Sequence, residues 1–203
     1  APALRGLRVV ELGCGLGLPS LLAARLGARV LATDELSTLA THMQANARRN
    51  GCSVETRPLD FTRRAEVEAA AAAGPFDLVL LSDCVYSGAA GAALPLAVAK
   101  LLGGRRGAVE LGAFPDVVRA GVPTFWEQAA RLLASEEVSA LDGGRLFLFR
   151  ARDGASALAD ADDAGWAAGT EAHPGSGSLF DAVCSYEPPP PEPPSTPAGT
   201  RIN

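Results

Sequence analysis

Four acids stand at or near the ends of apolar runs, Glu11, Asp34, Asp60 and Asp83, and the first of them leads directly into a glycine-rich turn. Val9, Val10, Glu11 and Leu12 run into Gly13, Cys14, Gly15, Leu16 and Gly17, after which Pro19 and Ser20 open a helical pattern. Glycine is required where a chain turns sharply or lets a ligand approach with no Cβ in the way, and the helix start beyond it presents unpaired N–H groups. The stretch therefore predicts a strand, a tight turn and a helix N-terminus that together receive a nucleotide-type cofactor. A dinucleotide fingerprint would place its third glycine where Leu18 stands, so the pattern is GxGxG and nicotinamide or flavin dinucleotides are disfavoured. A phosphate-cradling P-loop is excluded, because no GxxxxGK[ST] run occurs and the single lysine, Lys100, lies far from the turn.

The other acids suit the same ligand. Asp34 ends the second apolar strand about 20 residues beyond Gly13, the spacing at which a strand-end carboxylate meets a ribose in doubly wound folds. It accepts from both ribose hydroxyls in this reading; the alternative is a cap on the next helix. Asp60 and Phe61 close the third strand, where a carboxylate can accept from an exocyclic amine while the ring packs on an adenine; the alternative is a helix cap beside a core Phe. Ser82, Asp83, Cys84, Val85 and Tyr86 follow the fully apolar run Leu78–Leu81, and polar groups just past a central strand lie where open α/β sheets bind ligands. Asp83 and Tyr86 are placed beside the reacting atom.

These residues need a sheet with parallel strands and helices between them, and the apolar periodicity supplies one. Helices are expected over 20–26, with Leu21, Leu22 and Leu26 on one face, then over 36–49, 63–73 and 88–102. Strands are expected over 28–33, 53–59, 76–81 and 107–113. Thr124 and Glu127 read as a capping box opening a helix with Phe125 and Trp126, aromatics assigned either to the core or to a substrate groove. The runs 137–141 and 145–152 are joined by Asp142, Gly143 and Gly144, a turn short enough to force antiparallel pairing. The fold class is thus α/β, a doubly wound Rossmann-like sheet, mostly parallel with a C-terminal antiparallel hairpin.

Composition narrows the surroundings. The chain has 203 residues, a net charge of −5 and 48% apolar residues, which suits one domain with a sizeable core in residues 1–153. Its basic residues are scattered, so no nucleic-acid face is expected. Cys14, Cys52, Cys84 and Cys184 show neither a metal-ligand spacing nor a disulfide framework, and a reducing, cytoplasmic compartment (or the nucleus) is expected. No apolar run reaches about 18 residues and no signal-peptide pattern occurs, so no membrane partner is expected. Because the first strand starts within a few residues of Ala1, a preceding segment is expected to be missing. From residue 154 to 203 the composition turns to Ala, Asp, Gly and Ser, then to a proline run over 188–197, and a disordered tail is expected. Within it Leu179, Phe180, Val183 and Tyr186 form a candidate docking element, and the proline run a candidate interaction segment.

Alternating strands and helices with a GxGxG turn after the first strand, an acid after the second and a terminal hairpin resemble the seven-stranded class I methyltransferases that use S-adenosylmethionine. The run from Glu11 to Asp34, together with Asp83, Cys84, Val85 and Tyr86, resembles methyltransferase family 16, many of whose members modify lysine in protein substrates. The resemblance implies that Glu11, Gly13, Gly15 and Gly17 surround the methionine part of the cofactor, with Asp34 at the ribose, Asp60 and Phe61 at the adenine, and Ser82 beside it. It places Asp83 and Tyr86, the ends of a D-x-x-Y signature, on the acceptor side. The chain departs from the family pattern in lacking the segment that usually precedes the first strand, in having Phe61 where Trp is common, and in offering only Gly112, Ala113 and Phe114 after the fifth strand. The implied activity is methyl transfer to a nitrogen, with a protein lysine as acceptor; a small molecule, another protein nitrogen, or a non-catalytic interaction module are the alternatives.

Overall fold

The computed structural model describes residues 4–103, 109–115, 119–141 and 144–169. The first apolar run forms β1 (Arg8–Leu12), and the turn leads into α1 (Leu18–Arg25). There follow β2 (Arg29–Asp34), α2 (Ser37–Arg49), β3 (Glu55–Pro58), α3 (Arg64–Ala73), β4 (Leu78–Ser82) and α4 (Gly88–Leu102). The second half comprises β5 (Val109–Pro115), α5 (Val122–Leu132), β6 (Leu133–Leu141), β7 (Gly144–Ala151), α6 (Ala155–Ala161) and α7 (Asp163–Gly169).

The strands join one seven-stranded sheet in the order β3-β2-β1-β4-β5-β7-β6. β1 to β5 run parallel, while β7 pairs antiparallel with both β5 and β6, so the expected doubly wound sheet with a terminal hairpin is what forms. From β1 the chain winds outward first through β2 and β3, then on the other side through β4 and β5. The strand order reverses between β1 and β4, which opens a crevice at their carboxyl ends. Leu12 pairs with Thr33 on one side and Leu81 on the other, so Gly13, Asp34 and Ser82 all lie one residue past matched positions.

Period-2 alternation sorts the strand residues onto two covered faces. Val10, Leu12, Leu31, Val79 and Leu81 pack with α3, α4, α5, α6 and α7 in the larger core, whereas Val9, Val30, Leu78 and Leu80 face Ala23 of α1. Helix α4 is buried on every side from Ala90 to Ala99, as its almost wholly apolar sequence requires.

Several expectations need correction. Helix α1 begins at Leu18, with Gly17 as its left-handed N-cap and Pro19 in the first turn, and Leu22 is 57% exposed rather than on the buried face with Leu21. The Thr124–Glu127 capping box is not formed: Gly121 is the N-cap of α5, and Thr124 already lies inside the helix. Phe125 lies in the core and Trp126 packs against it, in tilted or edge-on contact with Phe114, Phe147 and Phe149 at centroid distances of 4.8–5.8 Å. β6 starts at Leu133, earlier than expected, and Leu141 pairs with Gly144; Asp142 and Gly143 lie outside the described residues.

The largest correction concerns the expected boundary at residue 153. Residues 155–169 form α6 and α7, with Ala155, Ala159 and Trp166 buried in the main core. Trp166 donates its Nε1–H to the Ala159 carbonyl at 2.9 Å, and Asp162 caps α7 by accepting the Gly165 N–H at 2.8 Å. Gln128 and Arg131 on α5 hold the same Asp162 carboxylate, and their hydrogen bonds, Gln128's foremost, keep its carboxyl below the usual carboxylate range. A Cβ on Gly165 would stand 2.9 Å from Leu96 Cδ1, which measures how closely α7 lies on α4. Composition misled because alanine and glycine, read as filler, are what allow this close approach. The rest of the expected tail, including Cys184 and the proline run, lies outside the described residues. No described helix is long and apolar enough to cross a membrane.

Because Trp166 is buried in the main core with its Nε1–H bonded to α6, Trp166→Ala is expected to lower unfolding free energy by about 3–5 kcal/mol. Urea denaturation checks this: a midpoint unchanged within error means that α6 and α7 contribute no core.

Candidate active site

The glycine turn is built from three residues with positive φ: Gly13 at +63°, Gly15 at +50° and Gly17 at +82°. L-residues avoid this left-handed region, so glycine is required at each for the backbone alone. Their surroundings differ. A Cβ on Gly17 would collide with Met43 Sδ at 1.8 Å, and one on Gly13 would press on Cys84 Sγ at 3.0 Å, but one on Gly15 would meet nothing within 4 Å. Gly17 thus seats the turn on α2, Gly13 seats it on the segment after β4, and Gly15 presents a bare backbone to open space. That open face is the cradle that a cofactor needs.

Asp34 holds this turn in place. Its Oδ2 accepts the Gly15 N–H at 3.0 Å, and its Oδ1 accepts the Leu36 N–H at 3.1 Å where α2 begins. Both the ribose and the helix-entry readings rest on this carboxylate: each oxygen has one backbone partner and keeps a further lone pair for a hydroxyl. Cys14 N donates to the Thr33 carbonyl at 2.8 Å, and Thr33 Oγ1 to the Glu11 carbonyl at 2.7 Å, tying the tips of β1 and β2 together.

Glu11, expected beside the methionine part, is 1% exposed and turned into the protein. Its Oε2 accepts the Ser20 N–H at 2.9 Å and the Ser20 hydroxyl, so it supplies the negative partner for the N-terminus of α1. Burial lifts its carboxyl from 4.5 to about 7, against the pull of the Ser20 hydrogen bonds, and the Asp34 charge adds to the lift. Asp60 is engaged locally: Oδ1 accepts the Thr62 N–H at 2.9 Å and its hydroxyl at 2.6 Å, while Arg63 lies 3.2 Å from Oδ2. Phe61 packs partly against the main core. The helix-cap alternative for Asp60 is not formed, since Arg63 is the N-cap of α3, and the core alternative for Phe61 is met in part.

At the tip of β4, Ser82 is exposed and Asp83 takes a φ of +53°, the one non-glycine residue with positive φ among those described. Such a conformation is tolerated by aspartate but is strained, and it clusters at functional sites. Asp83 Oδ2 pairs with Arg119 Nη2 at 2.7 Å, and the Arg119 guanidinium lies over the Tyr86 ring, 5.0 Å from its centroid. Tyr86 is half exposed; burial of its hydroxyl, with Cys84 and Asp83 adding, pushes the phenol up to about 12 against the opposing effect of Arg119. The phenol is therefore neutral near pH 7. Cys84 Sγ donates to the Leu12 carbonyl at 3.1 Å, and burial pushes its thiol up to about 12.

Arg119 is the residue that sequence reasoning missed. It lies 36 positions beyond Asp83, in the loop between β5 and α5. The signal was topological: every loop leaving the carboxyl end of a parallel strand opens on the same crevice, so the first arginine after β5 was a candidate. What brings it near is Gly121, where a Cβ would stand 2.0 Å from the Ser87 carbonyl oxygen. No group of three or more metal-ligating side chains occurs among the described residues.

The Glu11 carboxyl yields a pH prediction. With its folded-state value raised to about 7 from 4.5, the folded state binds more protons than the unfolded chain between those values, so stability falls as pH rises through that window. The fall is on the order of 3 kcal/mol. Glu11→Gln, which keeps an acceptor for Ser20 without the charge, is expected to flatten this slope; denaturant midpoints at pH 5 and pH 8 in both proteins measure it.

A family model described as lysine methyltransferase matches residues 1–109, more than half of the chain. Among curated proteins, the chain is 42% identical over 84 residues to a ubiquinone biosynthesis O-methyltransferase of Caulobacter sp. (strain K31), covering 39% of this chain and 30% of that protein. The match to the protein of that name from Methylobacterium sp. (strain 4-46) is 40% over 83 residues, 40% of this chain and 31% of that one. The chain thus spans about three tenths of the length of these relatives. Solved structures are alike in fold at low identity. The PH0226 protein from Pyrococcus horikoshii OT3 has a TM-score of 0.59 and 15% identity, covering 74% of this chain and 84% of that one. A TehB-like SAM-dependent methyltransferase from Corynebacterium glutamicum ATCC 13032 has a TM-score of 0.56 and 17% identity, covering 73% and 82%. The magnesium protoporphyrin IX methyltransferase (ChlM) from Synechocystis PCC 6803 with bound SAM has a TM-score of 0.55 and 19% identity, covering 72% and 71%. With its open glycine turn, its strand-end carboxylates and this family match, the chain belongs to the lysine methyltransferase family and carries the seven-stranded fold of S-adenosylmethionine-dependent methyltransferases.

Proposed function

We propose that this chain transfers the methyl group of S-adenosylmethionine to a nitrogen, the side-chain amine of a lysine in a protein substrate. The observation that carries the reading is the pairing of a carboxylate and an aromatic face, Asp83 and Tyr86, on the segment whose Cys84 packs against Gly13 of the turn, with a guanidinium held on both. When bound, the cofactor supplies a methyl on a sulfonium, an already activated leaving group, so the protein needs little acid or base chemistry. The turn from Gly13 to Gly17 would admit its methionine part with Glu11 behind it, Asp34 would take the ribose, and the exposed Ser82 would lie at the cofactor side of β4. Asp83 orients the amine and Tyr86 shapes its channel. Orientation of this kind contributes roughly 7 to 11 kcal/mol to a transfer between two bound groups. No dedicated base is assigned: burial lowers the pKa of an entering amine while Asp83 raises it, and the balance sets how much is deprotonated.

A second reading has its own support. The curated relatives are O-methyltransferases of ubiquinone biosynthesis, which favours a small-molecule acceptor. Against an oxygen acceptor stands Asp83, since a neighbouring carboxylate disfavours the ionised phenol or enol that such a transfer needs.

Three measurements test these readings. S-adenosylhomocysteine at about 100 times its dissociation constant is expected to stabilise the fold by about 2.7 kcal/mol; no thermal shift favours a non-catalytic interaction module. Asp83→Ala is expected to keep that shift and to lose roughly a hundredfold or more in transfer of labelled methyl to lysate proteins. Mass spectrometry then reads the acceptor: methyllysine supports the proposal, and label confined to small molecules discards it in favour of the second reading.

A further inference from the structure

The ion pair at the tip of β4 is only half made. Arg119 donates from Nη2 alone to Asp83 Oδ2, and both Arg119 Nε and Asp83 Oδ1 are buried with no hydrogen-bond partner. A guanidinium and a carboxylate frequently pair through two parallel bonds, which here would satisfy both of these atoms. An end-on contact leaves a buried donor and a buried acceptor unmatched, and each carries a desolvation cost that nothing beside it offsets. Asp83 is also strained in its backbone, and the guanidinium rests on the Tyr86 face, a position that any cation of suitable reach could take. Neither side chain is sealed in: about 30% of the Arg119 side chain and 40% of the Asp83 side chain are exposed, so the contact can exchange.

We propose that Arg119 is an internal stand-in for the acceptor, a cation that occupies the Asp83–Tyr86 site in the free enzyme and swings out when a substrate ammonium enters. This rests on the reading of Asp83 and Tyr86 as the acceptor side. It defines the acceptor class as a positively charged nitrogen at the end of a flexible aliphatic chain, and it makes Arg119 a specificity-determining residue. A neutral side chain cannot displace it, because that exchange would leave Asp83 without a counter-charge. Occlusion also lowers apparent affinity by the fraction of molecules whose site is open.

The test uses n-butylammonium, the end of a lysine side chain, and 1-butanol as its neutral counterpart, with the full chain. Titration followed by the arginine Nε–H NMR signals is expected to move one resonance, the one lost in Arg119→Gln, with butylammonium and not with butanol. Arg119→Gln is expected to bind butylammonium roughly three- to thirtyfold more tightly, the combined weight of one exposed ion pair and one cation–π contact. Arg119→Lys, which keeps a competing cation, is expected to stay near the parent affinity. A residue that merely supported the site would weaken binding when replaced, so unchanged or weaker binding in Arg119→Gln overturns the inference, as does equal binding of butanol. The S-adenosylhomocysteine thermal shift is measured on the same proteins: its loss in the parent chain removes the methyltransfer reading, whereas a retained shift with no gain in Arg119→Gln removes only the role of Arg119.

Discussion

The site depends on one carboxylate. Asp34 ends β2, yet its Oδ2 reaches across to the Gly15 N–H of the turn after β1, and its Oδ1 accepts the N–H of Leu36 just before α2. Charge-assisted bonds of this kind contribute about 1.5–3 kcal/mol each, enough to hold a left-handed glycine turn that side chains would otherwise fill. Parallel pairing of Leu12 with Thr33 sets the reach, and the switch in strand order between β1 and β4 leaves the other flank of the turn open. The sheet order, the turn and the carboxylate are therefore a single constraint, seen at three scales.

The three glycines divide the work of that constraint. Gly17 rests on Met43 and Gly13 on Cys84, so α2 and the segment after β4 clamp the turn from two sides, and Gly15 is left bare between them. Cys84 in turn donates to the Leu12 carbonyl. The same short stretch that carries Asp83 and Tyr86 thus packs under the cofactor turn, which fixes the two halves of the site relative to each other without any side chain bridging the open space.

Most of the sheet was legible because buried parallel strands announce themselves as apolar runs, and helix α4 falls where its glycine and serine boundaries put it. The acids at strand ends were legible for the same reason: topology brings strand ends together. What could not be read was the partner of each acid. Glu11 faces Ser20 rather than the crevice, and Asp60 is engaged with Thr62 and Arg63, because rotamer and turn geometry decide which way a carboxylate points. Arg119 was hidden by sequence distance and by dependence on Gly121, whose close approach to Ser87 is a packing fact. Helices α6 and α7 were hidden by composition: an alanine-rich segment with one tryptophan folds when a close apolar groove receives it, and that groove belongs to α4.

The electrostatics of the cleft also explain why its own nucleophiles stay silent. Burial comes first in raising the thiols of Cys14 and Cys84 to about 12, and the charges of Glu11 and Asp34 add to it. The thiolate is the reactive form of cysteine, so both sulfurs are held in the unreactive thiol form. The acids around the turn thereby help to keep the neighbouring sulfurs protonated.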